Sequence, residues 1–249
     1  MPMRMTVILA ALLTGILLSA PGEADTPQSA GAKALIELLA PEVAGPSDPL
    51  ATPVVRWVEP IRISVVGLDA GTRQRAVDTV LSPLASSFTN VTNIAVVAGD
   101  NLDRPNVVFM LIENKAEFQS YRPMIDELFE GDTRYSDAAT RFFMGSKRLC
   151  AYASFDLQKI YWRATAYIAY VGDDAKFASC VASMMGGVIG LQWRLAAGAS
   201  IRERGSTVAT FSDIDLAALD ILYDSRVEPG TRLGDIMPLI EEAGARLNP

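Results

Sequence analysis

The sequence predicts an α+β fold, in which a small, mostly antiparallel sheet packs against helices. Of its 249 residues, 50% are hydrophobic and 20% are charged, as is typical of a packed globular protein. Along the chain, predicted strands alternate first with predicted helices, and several helices then follow one another. This order favours α+β over a doubly wound parallel sheet. Short polar turns at 100–103 and 156–159 favour antiparallel strand pairs.

The N-terminus has the pattern of a cleavable secretory signal over residues 1–24. Arg4 supplies a positive charge, and the uncharged run 7–20 is short for a bilayer span, which takes about 20 residues. Small residues at positions 22 and 24 predict cleavage after Ala24; the alternative is a retained membrane anchor. After cleavage no stable membrane span is expected, and the mature protein is predicted to be periplasmic or secreted.

Residues 25–52 are rich in Pro, Ala, Gly and Ser, and this composition predicts a flexible tether. An amphipathic patch at 34–39 allows about two helical turns before Pro41 stops them. The remaining residues, 53–249, are predicted to form a single α+β domain.

The elements of this domain follow from hydrophobic periodicity and from the positions of glycine and proline. Alternation at 61–65 predicts a strand, and a helical pattern starts at Thr72, with Pro83 expected to kink or end the helix. The further predicted elements are strands at 94–97 and 106–112, a helix at 113–129 interrupted at Pro123, a hairpin of 150–155 with 160–171, and helices at 174–194, 213–224 and 232–246.

The chain contains no histidine and has a formal net charge of −7. Without histidine there is no Ser-His-Asp triad, no Cys-His pair and no histidine-based zinc helix. The negative charge disfavours sequence-independent nucleic-acid binding, which depends on clustered Lys and Arg. We therefore predict no cofactor and no nucleic-acid partner.

The two cysteines, Cys150 and Cys180, are predicted to form a disulfide, because an exported chain with two cysteines usually pairs them. The alternative is a pair of buried free thiols. If the cysteines are oxidised, neither thiol is available as a nucleophile.

The carboxylates of Asp213 and Asp215 have two interpretations. Ser212 followed three residues later by Asp215 is a capping pattern at a helix start, where carboxylates also suit the positive helix end. The alternative is a metal site, although the regular calcium-loop spacing is absent.

A pair of glycines, Gly186 and Gly187, interrupts an apolar helical stripe that includes Cys180, Met184 and Val188. Two glycines cost about 2 kcal/mol relative to alanine in a helix interior, so something must offset them. Close helix packing followed by a C-cap is the first interpretation. The second is the floor of a cleft that admits a peptide or lipid chain.

Several stretches between about residues 55 and 232 resemble one family. The stretches are Arg56-Trp57-Val58-Glu59-Pro60-Ile61, Asn106-Val107-Val108-Phe109, Cys180 ten residues before Gly190-Leu191, Phe211-Ser212-Asp213, Leu219-Asp220-Ile221-Leu222-Tyr223-Asp224 and Pro229-Gly230. Together they resemble the domain-of-unknown-function family 2927, found in exported proteins of Gram-negative bacteria, and this chain is a divergent member.

The resemblance implies export and a shared fold, but no activity. The cysteine-bearing helix of the family carries a Glu pair and a Gln, which loosely resembles the active helix of zincin-type metallopeptidases and implies a degenerate zincin-like fold. The corresponding positions here hold Ser183, Met184 and Gly187. If the family is catalytic, this member is therefore not expected to be.

The sequence leaves three functional hypotheses. The first is a non-catalytic protein that binds an envelope protein or peptide in a groove beside the 180–194 helix, with Trp193, Arg194, Arg202 and Arg204 as anchors. The second is a carboxylate- or metal-dependent hydrolase related to zincin-type peptidases. The third is a structural component of the envelope.

Overall fold

A five-stranded sheet forms the centre of the fold, seen in a computed structural model of the chain. The structure describes residues 29–40, 48–146, 148–170, 172–191 and 209–247. The sheet has the strand order β2-β1-β3-β5-β4. Its strands are β1 (Ile61–Gly67), β2 (Val96–Asp100), β3 (Val107–Ile112), β4 (Cys150–Leu157) and β5 (Ile160–Ala169).

The combination of helices with strands confirms the predicted α+β class, but the predicted pairing is wrong. Strand β1 pairs in parallel with β2 and β3, and β3 pairs in parallel with β5. Of these five strands, only β4 and β5 pair in an antiparallel direction. The hairpin between them is as predicted: Gln158 and Lys159 in its turn both have positive φ, 54° and 66°, which is typical of a type I′ turn.

The error in pairing comes from the polar segment after β2. Strands β2 and β3 do not pair with each other, because β1 lies between them. Val65 is opposite Asp100 on one side of β1, and Ile63 is opposite Val107 on the other. Strand β3 therefore begins only two β1 residues back from the point where β2 ends. Residues 101–106 are enough to cross β1 over this distance, whereas a parallel connection usually takes about a dozen residues or more. We call residues 101–106 the crossover loop.

The crossover loop is fixed to β1 by hydrogen bonds. The Arg62 guanidinium donates to the carbonyl oxygens of Asp103, at 2.7 Å, and Arg104, at 3.3 Å. The Asn106 side chain accepts from the Arg62 backbone N–H, at 2.7 Å, and donates to the Pro60 carbonyl. A loop without regular secondary structure is therefore held against β1, which lies between β2 and β3.

Helices cover both faces of the sheet unequally. The larger core lies under α1, α2, α3, α6, α7 and α8, and the smaller core under α4 and α5. None of the described helices is both long enough and apolar enough to cross a bilayer. Their bounds are α1 (Ala30–Leu39), α2 (Ala70–Ala76), α3 (Ser82–Thr92), α4 (Arg122–Leu128), α5 (Thr133–Gly145), α6 (Asp174–Val188), α7 (Asp213–Leu222) and α8 (Met237–Leu247).

Helix α1 lies within the segment 25–52, for which the sequence predicted a flexible tether. It packs against α7 and α8, and Leu35 and Leu39 are buried. At the contact, Gly244 of α8 lies so close to the Ala32 backbone that a Cβ atom would not fit. Residues 30–39 are therefore part of the packed fold, and the tether prediction is wrong for them.

Pro83 interrupts the helical run without ending it. A π-helical segment, Val77–Leu81, joins α2 to α3, and Pro83 lies in the first turn of α3. Proline lacks an N–H for the carbonyl four residues earlier, that of Thr79. The backbone N–H of Ala209 donates to this Thr79 carbonyl at 3.2 Å. The π segment and a distant donor thus accommodate the proline.

Candidate functional site

The predicted bond between Cys150 and Cys180 is present in the structure. Cys150 starts β4 and Cys180 lies in α6, with their Cα atoms 5.9 Å apart. Both residues are buried. The disulfide therefore fastens α6 to the antiparallel edge of the sheet.

The C-terminal half of α6 is packed on all sides. Every residue from 181 to 191 is buried, including Ser183 and Met184. A Cβ atom at Gly187 would overlap the ring of Tyr152. In the described part of the chain this half of the helix is thus a packed core element, with no open cleft floor along it.

Helix α6 ends in a glycine cap. Gly190 has φ +105°, and the Leu191 N–H donates to the Gly186 carbonyl at 3.0 Å, the pattern of a Schellman motif. Close packing at Gly187 and the cap at Gly190 together confirm the first interpretation of this glycine-rich stretch.

Two further carbonyls at the end of α6 accept hydrogen bonds from distant side chains. The Trp57 indole N–H donates to the Val188 carbonyl, and the Tyr223 hydroxyl donates to the Ile189 carbonyl, both at 2.8 Å. The last carbonyls of a helix lack partners within the helix, so these bonds satisfy groups that would otherwise be buried without them. Burial raises the pKa of Tyr223, which keeps the hydroxyl protonated.

Arg56 and Asp224 support the same arrangement. The Arg56 guanidinium donates to the carbonyl oxygens of Leu222, at 3.1 Å, and Asp224, at 3.0 Å. Hydrogen bonds from Arg226 lower the pKa of the Asp224 carboxyl to about 2. We call Arg56, Trp57, Tyr223 and Asp224 the helix clasp, because they hold the end of α6 in place.

Asp213 and Asp215 lie in the first turn of α7, as the capping interpretation predicted. The Ser212 hydroxyl accepts from the Asp215 N–H at 3.4 Å, and the Asp215 carboxylate accepts from the Ser212 N–H at 3.0 Å. Asp215 is buried and Asp213 is exposed. Among the residues that the structure describes, no three His, Cys, Asp or Glu side chains converge as a metal site would require.

Trp193, Arg194, Arg202 and Arg204, the predicted anchors for a partner, lie outside the described residues. The predicted partner-binding groove beside the 180–194 helix therefore stays a prediction. The predicted signal, 1–24, also lies outside the described residues.

The carboxyl ends of the parallel strands are where open α/β sheets commonly bind ligands. Here Arg73 forms an ion pair with Asp100, Nε to Oδ1 at 2.7 Å, and donates to the carbonyls of Gly67 and Leu68. The Asp69 carboxylate accepts from the Thr72 N–H at 2.9 Å and caps α2. The charged groups at this edge therefore bond to one another and to the backbone.

A pocket of about 420 Å³ lies instead on the face of the sheet that α4 and α5 cover in part. Ser64 and Val66 of β1 form its floor. One wall is the crossover loop, and the other is α4 with Met124 and Leu128. The crossover loop takes the place that a helix would occupy over β1, and the space between loop and helix remains open. We call it the crossover pocket.

The crossover pocket has apolar walls and a charged rim. Leu102, Met124 and Leu128 line the walls, and the charged residues of the pocket are Asp103, Arg104, Glu127, Glu130 and Arg163. The Arg163 guanidinium lies 2.8 Å from the Glu130 carboxylate and also donates to the Leu128 carbonyl. The Arg163 side chain is only 20% exposed whereas that of Glu130 is 69% exposed. The guanidinium is thus held by several hydrogen bonds, while most of the Glu130 side chain faces solvent.

A family model described as "Protein of unknown function (DUF2927)" matches residues 40–242. The chain belongs to this family. The match confirms the resemblance seen in the sequence, and it includes the helix clasp, α6 and the crossover pocket. No curated protein and no solved structure matches the chain, so the zincin-like fold stays a prediction.

The pocket of this DUF2927 protein was missed from the sequence, although one residue signals it. Gly99 lies within β2, where glycine weakens a strand and often marks a close approach. A Cβ atom at Gly99 would lie 2.9 Å from Cδ2 of Leu102. Glycine here makes room for the crossover loop to fold back over the sheet, and Leu102 becomes a pocket wall.

Proposed function

We propose that the protein is an exported binding protein that holds a small amphipathic molecule in the crossover pocket. The observation that carries this proposal is a pocket with apolar walls and a fixed guanidinium at its rim. Ligand pockets in proteins commonly have volumes of about 300–1,000 Å³ and apolar linings with a few placed polar groups. The crossover pocket, at about 420 Å³, lies within this range.

The residues suggest how such a molecule would bind. Its apolar body would lie between Leu102 on the loop and Met124 and Leu128 on α4, above the strand floor. Its polar group would face Arg163, replacing the exposed carboxylate of Glu130. Charge-assisted hydrogen bonds to a fixed guanidinium would then orient the ligand.

We propose binding rather than turnover. The chain has no histidine, and Ser183, Met184 and Gly187, where the family resemblance implies acids and an amide, lie inside the core. Purified protein should therefore leave peptides, esters and glycans unchanged. Turnover of any of them well above the uncatalysed rate would contradict this part of the proposal.

We propose that the protein acts in the periplasm or is secreted. The signal-like pattern of residues 1–24 and the disulfide between Cys150 and Cys180 support an oxidising compartment. N-terminal sequencing of protein recovered from the periplasm or medium should begin at Asp25. Recovery of a chain that still begins at Met1 and stays with the membrane would favour a retained anchor.

Titration with 8-anilino-1-naphthalenesulfonate tests the binding site. This probe has aromatic rings for the apolar walls and a sulfonate for Arg163. We expect saturable fluorescence enhancement with one probe per chain. Met124→Trp would fill the pocket and weaken binding at least about tenfold, equivalent to about 1.4 kcal/mol.

Met144→Trp is the matched control, because Met144 is 45% exposed at the end of α5 and does not line the pocket. It should bind the probe as the wild type does. Equal binding by the wild type and Met124→Trp would contradict the proposed site.

A further inference from the structure

Among the strands that the structure describes, β2 forms an edge of the sheet and pairs only with β1. The Ile61 N–H donates to the Ala95 carbonyl at 2.9 Å, and the Asn101 N–H donates to the Val65 carbonyl at 3.3 Å. Successive residues of a strand direct their backbone groups to opposite sides. The backbone groups of residues 95, 97, 99 and 101 thus face β1, and those of Val96, Ala98 and Asp100 face away from it.

One of these outward groups has a partner on α3. The Val96 N–H donates to the Thr89 hydroxyl at 3.3 Å. The Val96 carbonyl and both backbone groups of Ala98 point past it into a groove of about 420 Å³ between β2 and α3. The helix side of this groove consists of mostly small, polar side chains: Ser82, Ala85, Ser86, Thr89 and Asn90.

The β2 edge lacks the features that usually protect a sheet edge from another strand. Such edges commonly carry Lys, Pro or a bulge. Strand β2 reads Val-Val-Ala-Gly-Asp, and its one charged residue, Asp100, is paired with Arg73. The other edge strand, β4, has a register shift at Phe155/Asp156. Of the two edges, β2 is therefore the one suited to accept a strand.

We propose that the β2 edge binds an extended peptide segment of a partner protein, which adds a sixth strand to the sheet. The outward carbonyl of Val96 and the outward N–H and carbonyl of Ala98 specify an extended backbone, as in other strand-addition complexes. Side chains on one face of the added strand would enter the small, hydroxyl-lined groove. Those on the other face would lie near Val97, which is 49% exposed. The partner segment thus alternates small polar with apolar residues.

This site is separate from the crossover pocket. The groove lies between β2 and α3, and the pocket lies between the crossover loop and α4. Filling one should leave the other unaffected, so failure of one proposal does not imply failure of the other.

The probe is a fluorescein-labelled peptide with three Thr-Val repeats between terminal lysines, and the measurement is fluorescence anisotropy. We expect saturable binding to the wild-type protein. A peptide with the same side chains but an N-methyl group on every Thr and Val should not bind, because neither of its edges can donate backbone hydrogen bonds to β2.

Two variants locate the site. Ala98→Pro removes an outward N–H while leaving the bonds to β1 intact, a position where edge strands tolerate proline. Ser86→Trp fills the groove from α3, and the exposed Ser225→Trp is its matched control. We expect Ala98→Pro and Ser86→Trp to weaken binding at least about tenfold and Ser225→Trp to leave it unchanged.

Three results would overturn the proposal: no binding of the peptide by the wild type, equal binding of the N-methylated peptide, or equal binding by Ser86→Trp. If Ala98→Pro does not fold, Ser86→Trp decides alone. A concentration-dependent dimer that Ser86→Trp dissociates would assign the edge to a second copy of the chain and also overturn the peptide proposal.

Discussion

The indole N–H of Trp57 donates a hydrogen bond of 2.8 Å to the carbonyl of Val188, which lies 131 positions later in the chain. The Tyr223 hydroxyl donates to the next carbonyl, that of Ile189, and Tyr223 lies after α6 in the chain, whereas Trp57 lies before it. Stretches that carry the DUF2927 resemblance thus meet at the end of α6. Their shared role in the structure is to complete the hydrogen bonding of a buried helix end.

Tyr223→Phe should destabilise the fold. The substitution leaves the Ile189 carbonyl without its donor and the backbone N–H of Trp57 without its acceptor, the Tyr223 hydroxyl. A buried group left without a partner costs about 1–3 kcal/mol. Urea unfolding measures this loss. Tyr170→Phe is the control, because the Tyr170 hydroxyl bonds to Asp174 at an exposed site. It should change the free energy of unfolding by less than about 0.5 kcal/mol. Equal losses in the two variants would argue against the helix clasp.

Gly187→Ala should be destabilising by about 1–3 kcal/mol, because overpacking a core forces neighbouring groups to move. The added methyl group would overlap the Tyr152 ring. Thermal unfolding gives the change. Gly145→Ala is the control, since a Cβ atom there has no neighbour within 4 Å. A double variant with Tyr152→Ala should lose less than the sum of the single losses; strict additivity would show that the two residues are not in contact.

Asp224→Asn should cost stability in a pH-dependent way. The pKa of the Asp224 carboxyl is lowered from 3.8 to about 2, chiefly by hydrogen bonding to Arg226. The charged form is therefore stabilised in the folded state, and its contribution is present above pH 4 and lost as the pH falls toward 2.

We expect Asp224→Asn to lower the free energy of unfolding by about 1 kcal/mol at pH 7, because Arg226 is largely exposed. The difference from the wild type should shrink in urea titrations at pH 3. Exposed Glu113→Gln should show no such loss at either pH. A difference between Asp224→Asn and the wild type that grows on acidification would contradict the assignment.

Removing the disulfide should destabilise the protein substantially. Cys150 and Cys180 are separated by 30 positions, and a loop of that length corresponds to about 3.6 kcal/mol in the chain-entropy estimate. The double variant Cys150→Ala, Cys180→Ala should therefore unfold at lower urea concentration. Intact mass should rise by about two daltons on reduction of the wild type; an unchanged mass would show two free thiols.

The sequence predicted local structure more successfully than strand pairing. The strands, the β4–β5 hairpin and the Ser212–Asp215 cap all follow from patterns within a few residues. The segment after Asp100 shows why pairing was harder. Polar turn residues look the same whether the chain turns back on itself or crosses a neighbouring strand, and only the register of β1 distinguishes the two.

Helices α1 and α5 also show what local sequence patterns could not predict: the packing of α1 and the presence of α5. The apolar stripe of α1 is visible in the sequence, but its cover, α8, lies about 200 residues later in the chain. Helix α5 was not predicted, because it buries only Ser136, Ala139 and Phe143, too few apolar positions for a clear helical period. Contacts distant in sequence decide both cases.

The candidate site depends even more on distant contacts. The crossover pocket brings together Ser64, Leu102, Met124 and Arg163, which lie on four separate segments. Sequence reasoning instead favoured α6, where glycines and cysteine stand out. The glycines proved to serve packing and capping, and the cysteine forms the disulfide with Cys150.

Methyl NMR with 8-anilino-1-naphthalenesulfonate tests most directly whether the crossover pocket binds ligands. The methyl signals of Leu102, Met124, Leu128 and Val66 should shift together as the probe is added and should saturate at one equivalent. If only surface methyls such as that of Met144 shift, and the signals of these four residues stay unchanged, the result would contradict the proposed function.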